Sequence, residues 1–321
     1  MLRNIFIAAL CTLSSGTSIA AEATERWPSQ PITFVVPWAA GGSTDALARI
    51  VAEDVSGTLG VPVIVENRGG ASGTIGASYV ARAKPDGYTF MVDVSGGLIN
   101  AEFLYGPLTY SPANDFAPVT LLAGEPIMIA ANPKLPVANV KEMVERSKES
   151  ELTFAVAGIG TTGHLSGELL AQHTGANLRV IPYKGSGPAV TDAIAGHTDL
   201  VIVSPMSVIP HAQTNRLKAL AVTSAQRMPA APDVPTLLES GYDVEIHTWY
   251  MVAAPAKTPA SIITRMNEAI ATALQKPDVI SRIEALGSIP QASTPEELGE
   301  LLTAERQKWG ETIRKANITV N

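Results

Sequence analysis

Short runs of β-branched and apolar residues alternate with stretches of helical spacing along most of the chain, and turn residues separate them. Residues 32–36 (Ile-Thr-Phe-Val-Val) read as a strand, 44–59 as a helix and 61–66 as a second strand. A helix over about 72–83 and a strand over 88–94 follow. Between them lies Pro85-Asp86-Gly87, where proline sets φ and glycine takes a conformation that other residues resist. A second series opens at 126–131. Its strands at 153–156, 180–182, 200–203 and 219–223 alternate with helices near 140–148, 163–173, 189–195 and 208–214. Such alternation marks βαβ units on a largely parallel sheet. Residues 246–253 read as a strand returning to the first series. The tail segments 259–275, 277–286 and 295–316 are helical, each with proline near its first turn, where the missing N–H costs nothing. No internal repeat, low-complexity tract or long linker is present. The pattern predicts an α/β chain in two domains, residues 27–124 with 247–321 and residues 125–246, with the C-terminal helices packed back on the first.

Two glycine-rich turns stand out because each follows a strand and opens a helix. The first is Pro37-Trp38-Ala39-Ala40-Gly41-Gly42-Ser43-Thr44-Asp45, after 32–36. The second is Gly158-Ile159-Gly160-Thr161-Thr162-Gly163-His164, after 152–156. A helix start leaves backbone N–H groups unpaired, and the helix dipole favours negative charge there. Two such ends facing one cleft would hold a small carboxylate without arginine.

The 321 residues, 46% hydrophobic, suffice for two domains of ordinary size. A net charge of −7, with no basic run or aromatic-interleaved basic patch, argues against nucleic acid as a partner. Residues 1–20 read as a signal peptide: Arg3 supplies the positive end, 5–13 the apolar core, and Ser18-Ile19-Ala20 the small-x-small cleavage pattern. Ala21-Glu22-Ala23 offers a second cleavage site. That apolar run is far short of the roughly 20 residues that span a bilayer, so the mature protein is expected to be soluble and exported. The only cysteine, Cys11, lies inside this segment, with Leu10 too large for the usual lipidation pattern. The mature chain then has no thiol for disulfide, metal or nucleophile chemistry.

Gly158-x-Gly160-x-x-Gly163 matches the dinucleotide fingerprint by letter, yet the next strand ends in Pro182-Tyr183-Lys184 rather than the acid that holds a ribose. No cofactor is expected. Neither a nucleophile elbow nor a Walker-type loop is present, and His164, His173, His197, His211 and His247 lack metal-binding spacing. No catalytic or metal site is expected, and the chain is not read as an enzyme. Asp45 can stabilise its own helix start or accept a hydrogen bond from a ligand. Arg68 can contact a ligand or pair with Glu53 or Asp54. Trp38 and Trp249 are candidate cleft walls. Val92-Asp93-Val94 puts an acid in the third strand; facing the cleft, it would disfavour a polyanion.

With these residues in view, the chain closely resembles the periplasmic solute receptors of tripartite tricarboxylate transporters, the Bug receptors. The resemblance runs through Val36-Pro37-Trp38-Ala39-Ala40-Gly41-Gly42, Val65-Glu66-Asn67-Arg68, Lys84-Pro85-Asp86-Gly87-Tyr88-Thr89, Pro182-Tyr183-Lys184-Gly185 and Pro232-Asp233-Val234-Pro235-Thr236. It implies a two-domain periplasmic-binding-protein-like fold, hinged about a cleft that closes on a small carboxylate. That ligand would be a di- or tricarboxylate, an acidic amino acid or an aromatic acid. It also implies a membrane permease as partner and a periplasmic location. A carboxylate sensor for a membrane signalling protein is the alternative, and a periplasmic enzyme a more distant one. Carried over, the ligand-contacting positions are Ala39, Ala40, Gly41, Gly42, Ser43, Thr44 and Asp45 in the first turn, beside Trp38. Gly158, Gly160, Thr161, Thr162 and His164 serve in the second turn, with Ser95 and Ser204 after neighbouring strands. The chain departs from the family at Ala212-Gln213-Thr214-Asn215-Arg216 and at Tyr250-Met251.

Overall fold

The computed structural model describes residues 27–319; the signal-peptide segment and Cys11 lie outside them. The first series folds as β1 (Ile32–Val36), α1 (Ser43–Leu59), β2 (Val63–Asn67), α2 (Thr74–Ala81) and β3 (Thr89–Val94). A π-turn at Gly96–Asn100 runs into a short helix α3 (Ala101–Leu104), followed by the long strand β4 (Phe116–Pro126). The second series comprises β5 (Met128–Ala131), α4 (Val140–Glu149), β6 (Leu152–Val156), α5 (Thr162–Thr174), β7 (Leu178–Pro182), α6 (Ser186–Ala195), β8 (Leu200–Val203), α7 (Pro205–Ala212) and β9 (Lys218–Val222). The chain returns through β10 (His247–Pro255), α8 (Ala260–Ala273), α9 (Pro277–Glu284), β11 (Ile289–Pro290) and α10 (Pro295–Lys315).

Two sheets result, in the order β11-β4-β10-β3-β1-β2 and β7-β6-β8-β5-β9. In the first, β1 pairs in parallel with β2 and β3, and β10 runs antiparallel between β3 and β4. In the second, β6 pairs in parallel with β7 and β8, while β5 is antiparallel to β8 and β9. Strands buried on both faces need continuous apolar runs. Phe34, Val35 and Val36 in β1 and Phe154, Ala155 and Val156 in β6 accordingly have no exposed surface. Helices cover each face, as a two-domain α/β fold of the periplasmic-binding-protein type requires.

Three features differ from the sequence pattern. β4 falls where Pro118, Gly124 and the polar Thr120 and Glu125 interrupt the apolar run, so its strand character comes from pairing with β10 rather than from local preference. The helix expected over 72–83 is a 3₁₀ turn at Ala71–Gly73 followed by α2. Most consequential, α10 does not stay with one sheet. Leu298 packs with Val35, Met91 and Leu121 of the first, whereas Trp309 and Ile313 join Phe154, Leu165 and Ile202 of the second. Gln172 of α5 donates to the Thr312 carbonyl at 3.2 Å, and Phe103 lies against Gly310.

Trp309 therefore anchors the tail to the second core. Its ring is buried and its Nε1 donates to the buried Glu305 carboxylate at 2.7 Å, which Lys308 also holds. Trp309→Ala opens a cavity and takes the donor from one Glu305 oxygen, so unfolding free energy should fall by about 3–5 kcal/mol. Urea denaturation of the variant measures this loss.

Candidate functional site

A cavity of about 510 Å³ lies between the two sheets, beyond the carboxyl ends of β1 and β6. That is where parallel α/β sheets present their helix starts. Trp38, Gly42, Ser43 and Thr44 line it from the first turn, and Gly160, Thr161, Thr162 and Gly163 from the second. Ser204 follows β8, Ser186 opens α6, Ile127 lies between β4 and β5, and Glu125, Thr248 and Tyr250 come from β4 and β10. Val94, Leu104, Ile159, Ile202 and Val203 supply apolar wall, with Tyr105 beside them. No Lys, Arg or His lines the cavity among the described residues.

The first turn is built to keep N–H groups free. Gly42 caps α1 without a side chain, so the N–H groups at Ser43, Thr44 and Asp45 have no side-chain cap. The buried Asp45 carboxylate instead reaches back to accept the Gly41 N–H at 2.9 Å and holds Arg49 at 2.9 Å. Burial alone would raise the Asp45 pKa, but the bonds from Arg49, Gly41 and Asn67 outweigh it and hold it below the usual carboxylate value. Gly41 sits at φ +86°, which a residue with Cβ resists. Asp45 thus serves the turn rather than the cavity wall, and Ala39, Ala40 and Gly41 are exposed outside that wall.

The second turn works differently. Thr161 caps α5 by accepting from the His164 N–H, and its hydroxyl donates to the Gly158 carbonyl at 2.8 Å. The N–H groups of Thr162 and Gly163 remain beside the cavity. A Cβ on Gly163 would collide with the Ile202 carbonyl, so glycine lets α5 start this close to β8. His164 lies behind the turn. Its buried Nδ1 accepts the Gly160 N–H at 3.0 Å, which puts the ring proton on Nε2, 3.6 Å from Glu168. Gly158 and His164 shape the turn without lining the cavity.

Other expectations move too. Ser95 is buried away from the cavity and accepts from the Trp249 N–H at 3.3 Å. Trp249 is not a cleft wall: strand alternation sends Thr248 and Tyr250 to the cavity, and His247 and Trp249 to the opposite face. There the two rings stack at 4.5 Å. Asp93 lies beneath Trp38, accepting its indole N–H and the Val94 N–H, both at 2.7 Å. Burial pushes its pKa up to about 7 despite these two bonds. Arg68 pairs with Glu66 at 2.6 Å and stacks on Tyr79, while Arg282 and Lys276 take Glu53 and Asp54. The charged residue that sequence reasoning missed is Glu125, hidden because β4 itself was not recognised.

Residues 47–318 match the family model of the tripartite tricarboxylate transporter family receptor. The chain belongs to that family. A UPF0065 protein of Agrobacterium vitis, from the TAR-I ttuE-ttuC' intergenic region, is 39% identical over 97% of this chain and 91% of its own length. Among solved structures, an R. palustris protein with adipate is similar at a TM-score of 0.77 and 34% identity, covering 92% of this chain and 100% of that one. MatC of Rhodopseudomonas palustris with bound malate is similar at 0.72 and 32%, covering 89% and 100%. No group of three or more His, Cys, Asp or Glu is placed to hold a metal ion among the described residues.

His247 gives the fold a pH dependence of known sign. Burial, then the Lys308 charge, lowers its pKa from 6.5 to about 4. Below pH 6.5 the unfolded chain takes up a proton that the folded ring refuses until about pH 4. The contribution of this group to stability should therefore fall by up to about 3 kcal/mol as pH drops through that window. Asp93, whose pKa of about 7 makes a contribution of opposite sign over the same window, offsets it, so the check is a difference. In denaturant titrations, the change in stability between pH 7 and 4.5 should be more unfavourable in the wild type than in His247→Phe.

Proposed function

We propose that the protein is a periplasmic receptor that captures a small carboxylate between its domains and delivers it to a tripartite tricarboxylate transporter permease. The observation that carries this is the convergence of two helix starts, α1 and α5, on one cavity without a basic side chain. Backbone N–H groups and the hydroxyls of Ser43, Thr44, Thr161 and Thr162 hold the carboxylate there, and the helix dipoles supply the positive potential. Trp38, Ile159 and Ile202 cover its carbon chain. Ser204, at the N-cap of α7, turns its hydroxyl to Glu125 rather than to its own helix. Family membership and the adipate and malate held by two relatives support a carboxylate as cargo. The family also supports the permease as partner and the periplasm as location.

Residues 27–124 with 247–321 form one closing body and 125–246 the other, on this proposal, with the hinge at the crossings near Pro126 and Ile246 and a further flex point in α10, whose Trp309 end packs in the second core. Thr248 Oγ1 bonds Thr162 Oγ1 at 2.9 Å, and Leu104 packs against Gly160, so both bodies touch across the cavity. The ligand closes the hinge by binding both helix starts at once. Scattering profiles should contract at ligand saturation; unchanged profiles would count against closure.

Thermal-shift screening of a carboxylate library tests the receptor role directly. A ligand at one hundred times its Kd stabilises the fold by about 2.7 kcal/mol. Ser43→Glu separates helix-start binding from other modes. An acid in the first turn favours the helix dipole, so the unliganded melting temperature should hold or rise, while affinity for the carboxylate falls about tenfold or more. Normal affinity in that variant would place the anion elsewhere.

A further inference from the structure

One acid lines the cavity and has no cation to meet it. Glu125 is buried, and its two oxygens accept from the Ser204 hydroxyl and, at 2.8 Å, the Tyr250 phenol. These partners come from both sheets, since Ser204 follows β8 and Tyr250 lies in β10. Thr248, the register partner of Glu125 on β10, also lines the cavity. Among the described residues, the only other titratable groups in the lining are Tyr105 and Tyr250.

Other buried acids in the fold are supplied with charge or N–H groups. Asp45 has Arg49 and the Gly41 N–H, and Glu305 has Lys308 and the Trp309 indole. Glu125 has two hydroxyls alone. A carboxylate offers about four acceptor sites, so two hydroxyls leave it capacity for a further donor. A charge buried this way is costly unless something pairs with it.

The cavity is therefore polar in a defined sense, with N–H groups at the starts of α1 and α5 and an acceptor on β4. Tyr250 and Ser43 line the same cavity, and the Tyr250 phenol bonds Glu125. Adipate and malate, held by two relatives, carry a carboxylate at each end. A second carboxylate set against Glu125 would put two like charges in a desolvated wall.

We propose that Glu125 determines the ligand class of this cavity, selecting a carboxylate whose other end carries a hydrogen-bond donor, an ammonium or amide, and excluding a second carboxylate there. This rests on the receptor role proposed above. Burial raises the Glu125 pKa while the Ser204 and Tyr250 bonds oppose the rise. A donor on the ligand adds to those bonds and keeps the group ionised in the complex.

Matched six-carbon probes test the assignment: adipate, its monoamide and 6-aminohexanoate, with the four-carbon set succinate, succinamate and 4-aminobutyrate alongside. Each is titrated calorimetrically at pH 7.5 into the full mature protein and into Glu125→Gln, with an unliganded melt confirming that the variant folds. In the wild type the better donor-bearing probe of at least one set should bind about tenfold or more tighter than its dicarboxylate. In Glu125→Gln that ratio should collapse or invert. The wild-type ranking alone decides if the variant does not fold. A wild type that takes the dicarboxylates as tightly, or a ratio unchanged in the variant, overturns the role of Glu125 and leaves the receptor reading intact. If no probe and no member of the wider carboxylate library binds the wild type, the receptor reading fails and this inference falls with it.

Discussion

Everything around the cavity follows from the backbone N–H groups that a helix cannot pair at its own start. α1 and α5 each begin just past the carboxyl end of a central parallel strand, and the two sheets turn those ends toward one space. The supporting residues keep the starts open. Gly42 leaves α1 without a side-chain cap, and Asp45 is occupied with the Gly41 N–H behind it. Gly163 lets α5 begin against the Ile202 carbonyl. Replacing Gly42 by a capping residue would give a more stable helix and a worse anion site.

Three acids surround this space, and their partners give each a different electrostatic character. Asp45 meets Arg49 and N–H groups and is held ionised. Asp93 meets two N–H groups under Trp38 with one oxygen left unpaired, and burial carries its pKa up to about 7. Glu125 meets only hydroxyls, and burial raises it as well. Only Glu125 reaches the cavity wall. The potential a ligand feels is thus set by helix starts on one side and one carboxyl group on the other, with the Asp45–Arg49 pair neutral in sum.

Much of the fold was legible because βαβ units announce themselves locally. The strand at Ile32–Val36, the glycines of both turns and the prolines opening the tail helices all act within a few residues of themselves. Trp38, Gly42, Ser43, Thr44, Gly160, Thr161, Thr162 and Ser204 were named from the sequence and lie at the cavity. His164, Asp45 and Gly158 were named for the same turns and lie behind them, because position in a turn does not say which way a side chain points. Trp249 shows the same limit in a strand. A one-residue difference in register exchanges it with Tyr250, and pairing with β4 and β3 sets that register.

Neighbouring residues suffice to specify the two glycine turns, the helix starts they open and the absence of cations from those turns. Tertiary structure alone decided that β4 is a strand and that Glu125 stands in the cavity. It also decided that α10 ties both cores together through Leu298 at one end and Trp309 at the other. The physical reason is the range of the forces involved. Capping, turn conformation and helix periodicity act over a few residues. Strand pairing, burial of a carboxylate and the docking of a helix depend on partners more than a hundred residues away, as Tyr250 is from Glu125 and Gln172 from Thr312.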